Sequence, residues 1–167
     1  MTRLTRRYAL LASGVALLLT LAACKQPDGA MPVPTGEQPN KLEDISRDLQ
    51  NLAARDANAP SELSDDLSSL DAVRRPPESI IELSRRLATA LGGTTFSDDD
   101  AKRVASLLFV AMSAQELSRV QIEQLGTDLQ AALTGIGADA QAAAAVATTA
   151  MDLASTITRI RERWYHR

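Results

Sequence analysis

The chain has 167 residues, 45% hydrophobic and 23% charged, with 21 acidic against 18 basic side chains and a formal charge of −3. An acidic balance lacks the clustered basic face that a nucleic-acid partner calls for, and a single cysteine permits no intramolecular disulfide. The one histidine, His166, stands next to the C-terminus, which removes Ser-His-Asp, Cys-His and histidine-rich metal arrangements.

Residues 1–23 read as a secretory leader. Arg3, Arg6 and Arg7 form a positive start, and Tyr8 to Leu21 is apolar apart from Ser13, Gly14 and Thr20. The run is shorter than the roughly 20 apolar residues a permanent membrane span needs. It ends in Leu21-Ala22-Ala23-Cys24, an aliphatic residue, two small residues and a cysteine. The chain thereby resembles a bacterial lipoprotein with a lipobox signal, and all four positions match. The resemblance covers about the first 24 residues and implies cleavage before Cys24. It further implies an S-diacylglyceryl group on the Cys24 thiol and, in Gram-negative bacteria, an acyl group on the freed amine. Two or three acyl chains hold a protein at a membrane almost permanently, where one gives marginal binding. Lys25, standing where an aspartate would retain an enteric lipoprotein in the inner membrane, implies the periplasmic face of the outer membrane. In a host without one, the anchor sits in the outer leaflet of the cell membrane.

Cleavage leaves residues 24–167, enough for one modest domain, with 15 basic and 21 acidic side chains. Residues 24–39 carry Pro27, Pro32, Pro34, Pro39, Gly29 and Gly36 without apolar periodicity, and read as a disordered tether. In a polyproline-like state it reaches roughly 45 Å at about 3.1 Å per residue.

From residue 40 to 167 the pattern predicts an all-α bundle of five or six helices, with neither strand alternation nor a hairpin turn. A first helix capped by Asn40 buries Leu42, Ile45, Leu49 and Leu52 and ends at Asn58-Ala59-Pro60. A second starts near Ser61, buries Leu63, Leu67, Leu70 and Val73, and is stopped by Arg74-Arg75-Pro76-Pro77, with charge suited to a helix C-terminus. A third follows Pro77 through Ile80, Leu83, Leu87 and Leu91 to Gly92-Gly93. Ser97 and Asp100 then form a capping box, with Phe96 placed as a staple against Ala101, for a helix through Val104, Leu107, Leu108, Ala111 and Met112. Ser113 and Glu116 offer a second, weaker box and a break. Ile122, Leu125, Leu129, Ala132 and Ile136 follow, up to Gly135 and Gly137. The last helix, from about Asp139 to Trp164, carries a coiled-coil-like seam through Ala143, Val146, Ala150, Leu153, Ile157, Ile160 and Trp164, and is expected to be the spine of the bundle.

Chemistry-bearing patterns are few. Asp98-Asp99-Asp100 lacks calcium-loop spacing and complements a helix N-terminus instead. Arg159, Arg161, Arg163 and Arg167 with Trp164 and Tyr165 make a basic, aromatic end, a candidate surface for anionic lipid, glycan or protein, or simply charge complementing the helix terminus. Arg74, Arg75, Arg85 and Arg86 make a second basic group. The sequence thus reads as a lipid-anchored envelope protein whose helices act as a structural or protein-interaction module. It is expected to be no enzyme, without metal or cofactor, its partners being the membrane, through its acyl chains, and an envelope protein or a second copy. The alternative is a small-ligand carrier or carboxylate-based enzyme, recognisable by buried, convergent acids lining a pocket.

Overall fold

A short helix is stable in water chiefly when it buries an apolar face, and leucine, isoleucine and alanine recur here at the spacing that makes one. The computed structural model describes residues 39–71, 74–113 and 116–165, apart from the side chains of residues 39, 157, 158 and 160–165. Over these residues the chain forms α1 (Pro39–Ala53), α2 (Ala59–Leu70), α3 (Pro77–Leu91), α4 (Asp98–Met112), α5 (Arg119–Gly135) and α6 (Ala140–Tyr165). Among the described residues there is no strand, and no helix is long and apolar enough to cross a membrane. The leader, residues 24–38 of the tether, Val73 and His166 lie outside them, and Pro39, the last tether residue, begins α1.

The helices pack in a closed circuit, α1 on α2, α2 on α3, α3 on α6, α6 on α5, α5 on α4 and α4 on α1, with α1–α3, α2–α4 and α4–α6 packing across it. The core is Ile45, Leu49, Leu52, Leu63, Leu67, Ile80, Leu83, Leu87, Leu91, Leu108, Leu125 and Leu129, joined by Ala143, Val146, Ala150 and Leu153 of α6. Neighbours run antiparallel, as specific bonds show. Lys41 in the first turn of α1 pairs with Asp66 near the end of α2 at 3.4 Å. At the other end of α1, Gln50 Nε2 donates to Asp98 Oδ1 at the start of α4, 2.6 Å away, and Gly93 N donates to Ala53 O at 2.9 Å. One end of the bundle therefore gathers the start of α1, the end of α2, the start of α3, the end of α4 and the start of α5. Small residues let α5 and α6 approach closely. A Cβ built on Gly126 would stand 2.1 Å from Met151 Sδ.

Several boundaries differ from expectation. Asn40 is no cap, because the helix already includes Pro39. Helix α1 ends at Ala53, before Asn58-Ala59-Pro60, since Arg55 N bonds to Leu52 O and Asp56 N to Asn51 O, the Schellman closure, with Arg55 at φ 62° where glycine is usual. Pro60 starts α2 rather than stopping α1, as proline suits a first helical turn. Leu70 ends α2 and is only half-buried. The break after Met112 is present, but the box that starts α5 is Ser118 with Gln121, not Ser113 with Glu116; Ser113 is the C-cap of α4. The Ser97–Asp100 box stands as expected. Helix α6 packs on α3, α4 and α5, while α1 and α2 pack chiefly on each other and on α3 and α4, so α6 closes the circuit rather than running through its centre.

Candidate functional site

Helix α6 lies between α3 and α5, and its outward stripe of Asp152, Ser155, Thr156 and Arg159 separates two open concavities. The larger, about 740 Å³, runs between α3 and α6 and is walled by Glu78, Ser79, Glu82 and Arg86 on one side and Thr148, Thr149, Asp152 and Thr156 on the other. The smaller, about 330 Å³, lies between α6 and α5 and is lined by Ile122, Glu123 and Met151 with Arg119 at its edge. Both include Asp152 and Arg159. Arg159 donates to Ser155 Oγ and lies 3.7 Å from Asp152 Oδ1.

The wall from α3 is held by charge pairing. Glu82 accepts from Arg86 Nε at 2.8 Å and from Arg85 Nη1 at 2.7 Å, while Arg86 Nη1 reaches across to Ala145 O of α6 at 3.1 Å. The hydrogen bond from Arg86 holds the Glu82 carboxyl below its usual range. Arg86, held in place by Glu82, is the member of this group that ties α3 to α6.

Arg75 sets the floor. Its side chain is fully buried, and one guanidinium bridges four groups: Asp71 Oδ1 at 2.6 Å, Leu153 O at 3.0 Å, Met112 O at 3.2 Å and Ala111 O at 3.4 Å. Asp71 Oδ2 accepts from the Arg75 backbone N at 2.5 Å. Arg75 therefore does not complement the end of α2. It ties the α2–α3 link to the open carbonyls that end α4 and to the middle of α6, a planar fork suited to several acceptors at once. Burial pulls its pKa down from the ordinary arginine value, and Asp71 opposes that pull.

The residues singled out from sequence are distributed as follows. Arg159 stands at both concavities. Arg161, Arg163, Trp164 and Tyr165 occupy the last turns of α6, their side chains outside the described residues, as are Leu21, Ala22, Ala23 and Cys24. Arg74, Arg75, Arg85 and Arg86 form no shared patch, since Arg75 is buried and Arg85 and Arg86 both serve Glu82. Asp98 and Asp100 go to Gln50 and to the Ser97 cap, and among the described residues no group of three or more His, Cys, Asp or Glu side chains is placed to hold a metal.

The sequence reading passed over Asp48. It shares the α1 core face with Ile45, Leu49 and Leu52, three residues past Ile45, and is 2% exposed. Its Oδ2 has no hydrogen-bond partner among the described residues. The group it faces is another carboxylate, Asp66, which becomes a partner only when a proton sits between them. Burial first, then the charge of Asp66, pushes the Asp48 pKa up to about 6, with Glu62 adding to the rise and Arg47 opposing it. These acids meet between α1 and α2, and none of them lines either concavity. No family model, curated protein or solved structure matches the chain.

Proposed function

We propose that the chain is a lipid-anchored envelope lipoprotein, acylated on Cys24, whose helical body is a protein-interaction module working through the face formed by α3, α6 and α5. The anchor rests on Leu21-Ala22-Ala23-Cys24 at the end of a complete leader, and Lys25 after it favours the periplasmic face of the outer membrane, or the outer leaflet of the cell membrane in a host without one. The observation that carries the interaction reading is the outward α6 stripe with an open concavity on each side. Open grooves that combine apolar surface with hydroxyls and paired charges suit the side chains of another protein better than they suit a small ligand, which calls for an enclosed pocket. The carrier or enzyme reading needs buried acids converging in a pocket; Glu78, Glu82 and Asp152 at the larger concavity are exposed or half-buried, with Glu82 taken up by Arg85 and Arg86, and Asp48, whose pKa burial raises, lies instead at the α1–α2 contact.

Two measurements test this. A photo-crosslinking residue at Thr148 or Thr156, introduced in the native envelope, is expected to capture a defined partner that the same residue at Lys102, exposed on α4, does not; equal yields from both would sink the assigned face. Cys24→Ser is expected to abolish lipid attachment and block cleavage before residue 24. A variant that is still processed and still sediments with membranes rules out the acylated anchor.

A further inference from the structure

The tether and the basic, aromatic end of α6 are far apart in sequence, and the topology brings them to one end of the bundle. That end holds the start of α1 at Pro39, as the Lys41–Asp66 pair shows. It also holds the start of α3 and the end of α4, because Arg75 bonds to Met112 O and Leu153 O. The start of α5 joins them, since Arg119 lines the same concavity as Ser155 and Arg159 of α6. Helix α6 has 26 residues against 17 in α5, so at 1.5 Å per residue it is about 13 Å longer. Residues 160–165 continue past the first turns of α3 and α5 by about 9 Å.

The charge of this projection opposes that of the rest. Residues 160–167 carry three arginines and one acid, a formal +2, whereas residues 24–159 carry 12 basic and 20 acidic side chains, or −8. A projection of about 9 Å is comparable to the Debye length at physiological salt, about 8 Å, so the acids of the body are largely screened at its tip. Tryptophan and tyrosine settle at headgroup depth, and arginines are drawn to an anionic leaflet.

We propose that the projecting end of α6 seats the body on anionic phospholipid headgroups beside its own lipid anchor. The inference rests on the acylated-anchor reading, which puts the start of α1 within the tether's reach of a membrane but does not fix which end of the body faces it. The α6 tip fixes which end faces the lipid, and it leaves the concavities around Asp152 on the flank, open to a partner.

Trp164 is the only tryptophan, so its fluorescence reports the tip without a label. The acylated chain is reconstituted into phosphatidylcholine vesicles with or without phosphatidylglycerol. With phosphatidylglycerol, Trp164 emission is expected to move to shorter wavelength and to be quenched by brominated acyl chains. Both effects are expected to vanish in R161E/R163E and at about 1 M salt, where the Debye length is about 3 Å, while the chain still floats with the vesicles. Emission that is the same in both vesicles and unquenched overturns the proposal, as does an effect that survives R161E/R163E or one that needs an envelope protein in place of the anionic lipid. Mass spectrometry of the Cys24 peptide reads the anchor separately. If that peptide carries no lipid, the chain is added to the vesicles from solution and the same Trp164 readout decides.

Discussion

Arg75 and Asp48 are both charged residues inside the bundle, and they differ in whether their surroundings answer the charge. The Arg75 guanidinium has Asp71 and three carbonyls about it, so removing it takes the neutralising charge from a nearly buried carboxylate, 4% exposed, and a donor from three carbonyls. Breaking one side of such a pair costs about 3–5 kcal/mol. Arg75→Ala is expected to lower the unfolding free energy from urea melts by that much, Arg75→Lys to rescue little because one ammonium cannot reach all four acceptors, and Asp71→Leu with Arg75→Met to lose less than Arg75→Ala alone. Asp48 has the opposite problem. Its pKa rises from 3.8 to about 6 on folding, so between those values the folded chain holds a proton that the unfolded chain has released. Its contribution is fully favourable below about pH 4, falls as pH rises through about 6 and stays lower above. Asp48→Asn, which mimics the protonated form, is expected to change stability little at pH 4 and to stabilise by about 1–2 kcal/mol at pH 7.5, water near the pair screening the full effect of the shift. Urea melts of both proteins at the two pH values check this, and a gain as large at pH 4 as at pH 7.5 would exclude titration of Asp48 as its source.

At the scale of the element, periodicity was enough to place helices and not enough to end them. Ile80, Leu83, Leu87 and Leu91 of α3 are buried as their spacing requires, and the Ser97–Asp100 box stands where its two residues put it. Ends were misread where the closing residue is atypical: Arg55 occupies a position that favours glycine, and Ser118 stands five residues past the competing Ser113. The two concavities were not legible at all, because they arise from how α3, α6 and α5 meet across long sequence separations, and Arg75 reads from sequence as one basic residue among four. Two predictions belong here. Ser118→Ala is expected to cost about 1 kcal/mol, as loss of an N-cap does, with Ser113→Ala clearly smaller. Gly126→Leu is expected to cost about 1–3 kcal/mol through overpacking against Met151, and Met151→Ala in the same chain is expected to return part of it, a coupling that a double-mutant cycle reads directly.

For the whole molecule, the closed circuit makes α6 necessary and its tip dispensable to the fold. Without α6, α3 and α5 lose the partner between them, and the faces that Ala143, Val146, Ala147, Ala150, Leu153 and Ala154 now cover are opened to water. Most of the described core of α6 lies before Ser155, whereas its last turns continue past the starts of α3 and α5. The two kinds of truncation should therefore separate. A chain ending at Asp139 is expected to lose cooperative unfolding, because α3 and α5 would expose apolar faces that nothing else covers. A chain ending at Arg159 is expected to unfold cooperatively within about 1 kcal/mol of the full-length protein, since changes away from the packed core usually cost little. Urea unfolding followed by far-ultraviolet circular dichroism distinguishes the cases. A large, cooperative loss on removing only residues 160–167 would mean that the tip is clamped within the fold, and that the end of α6 is core rather than a surface free to meet a membrane.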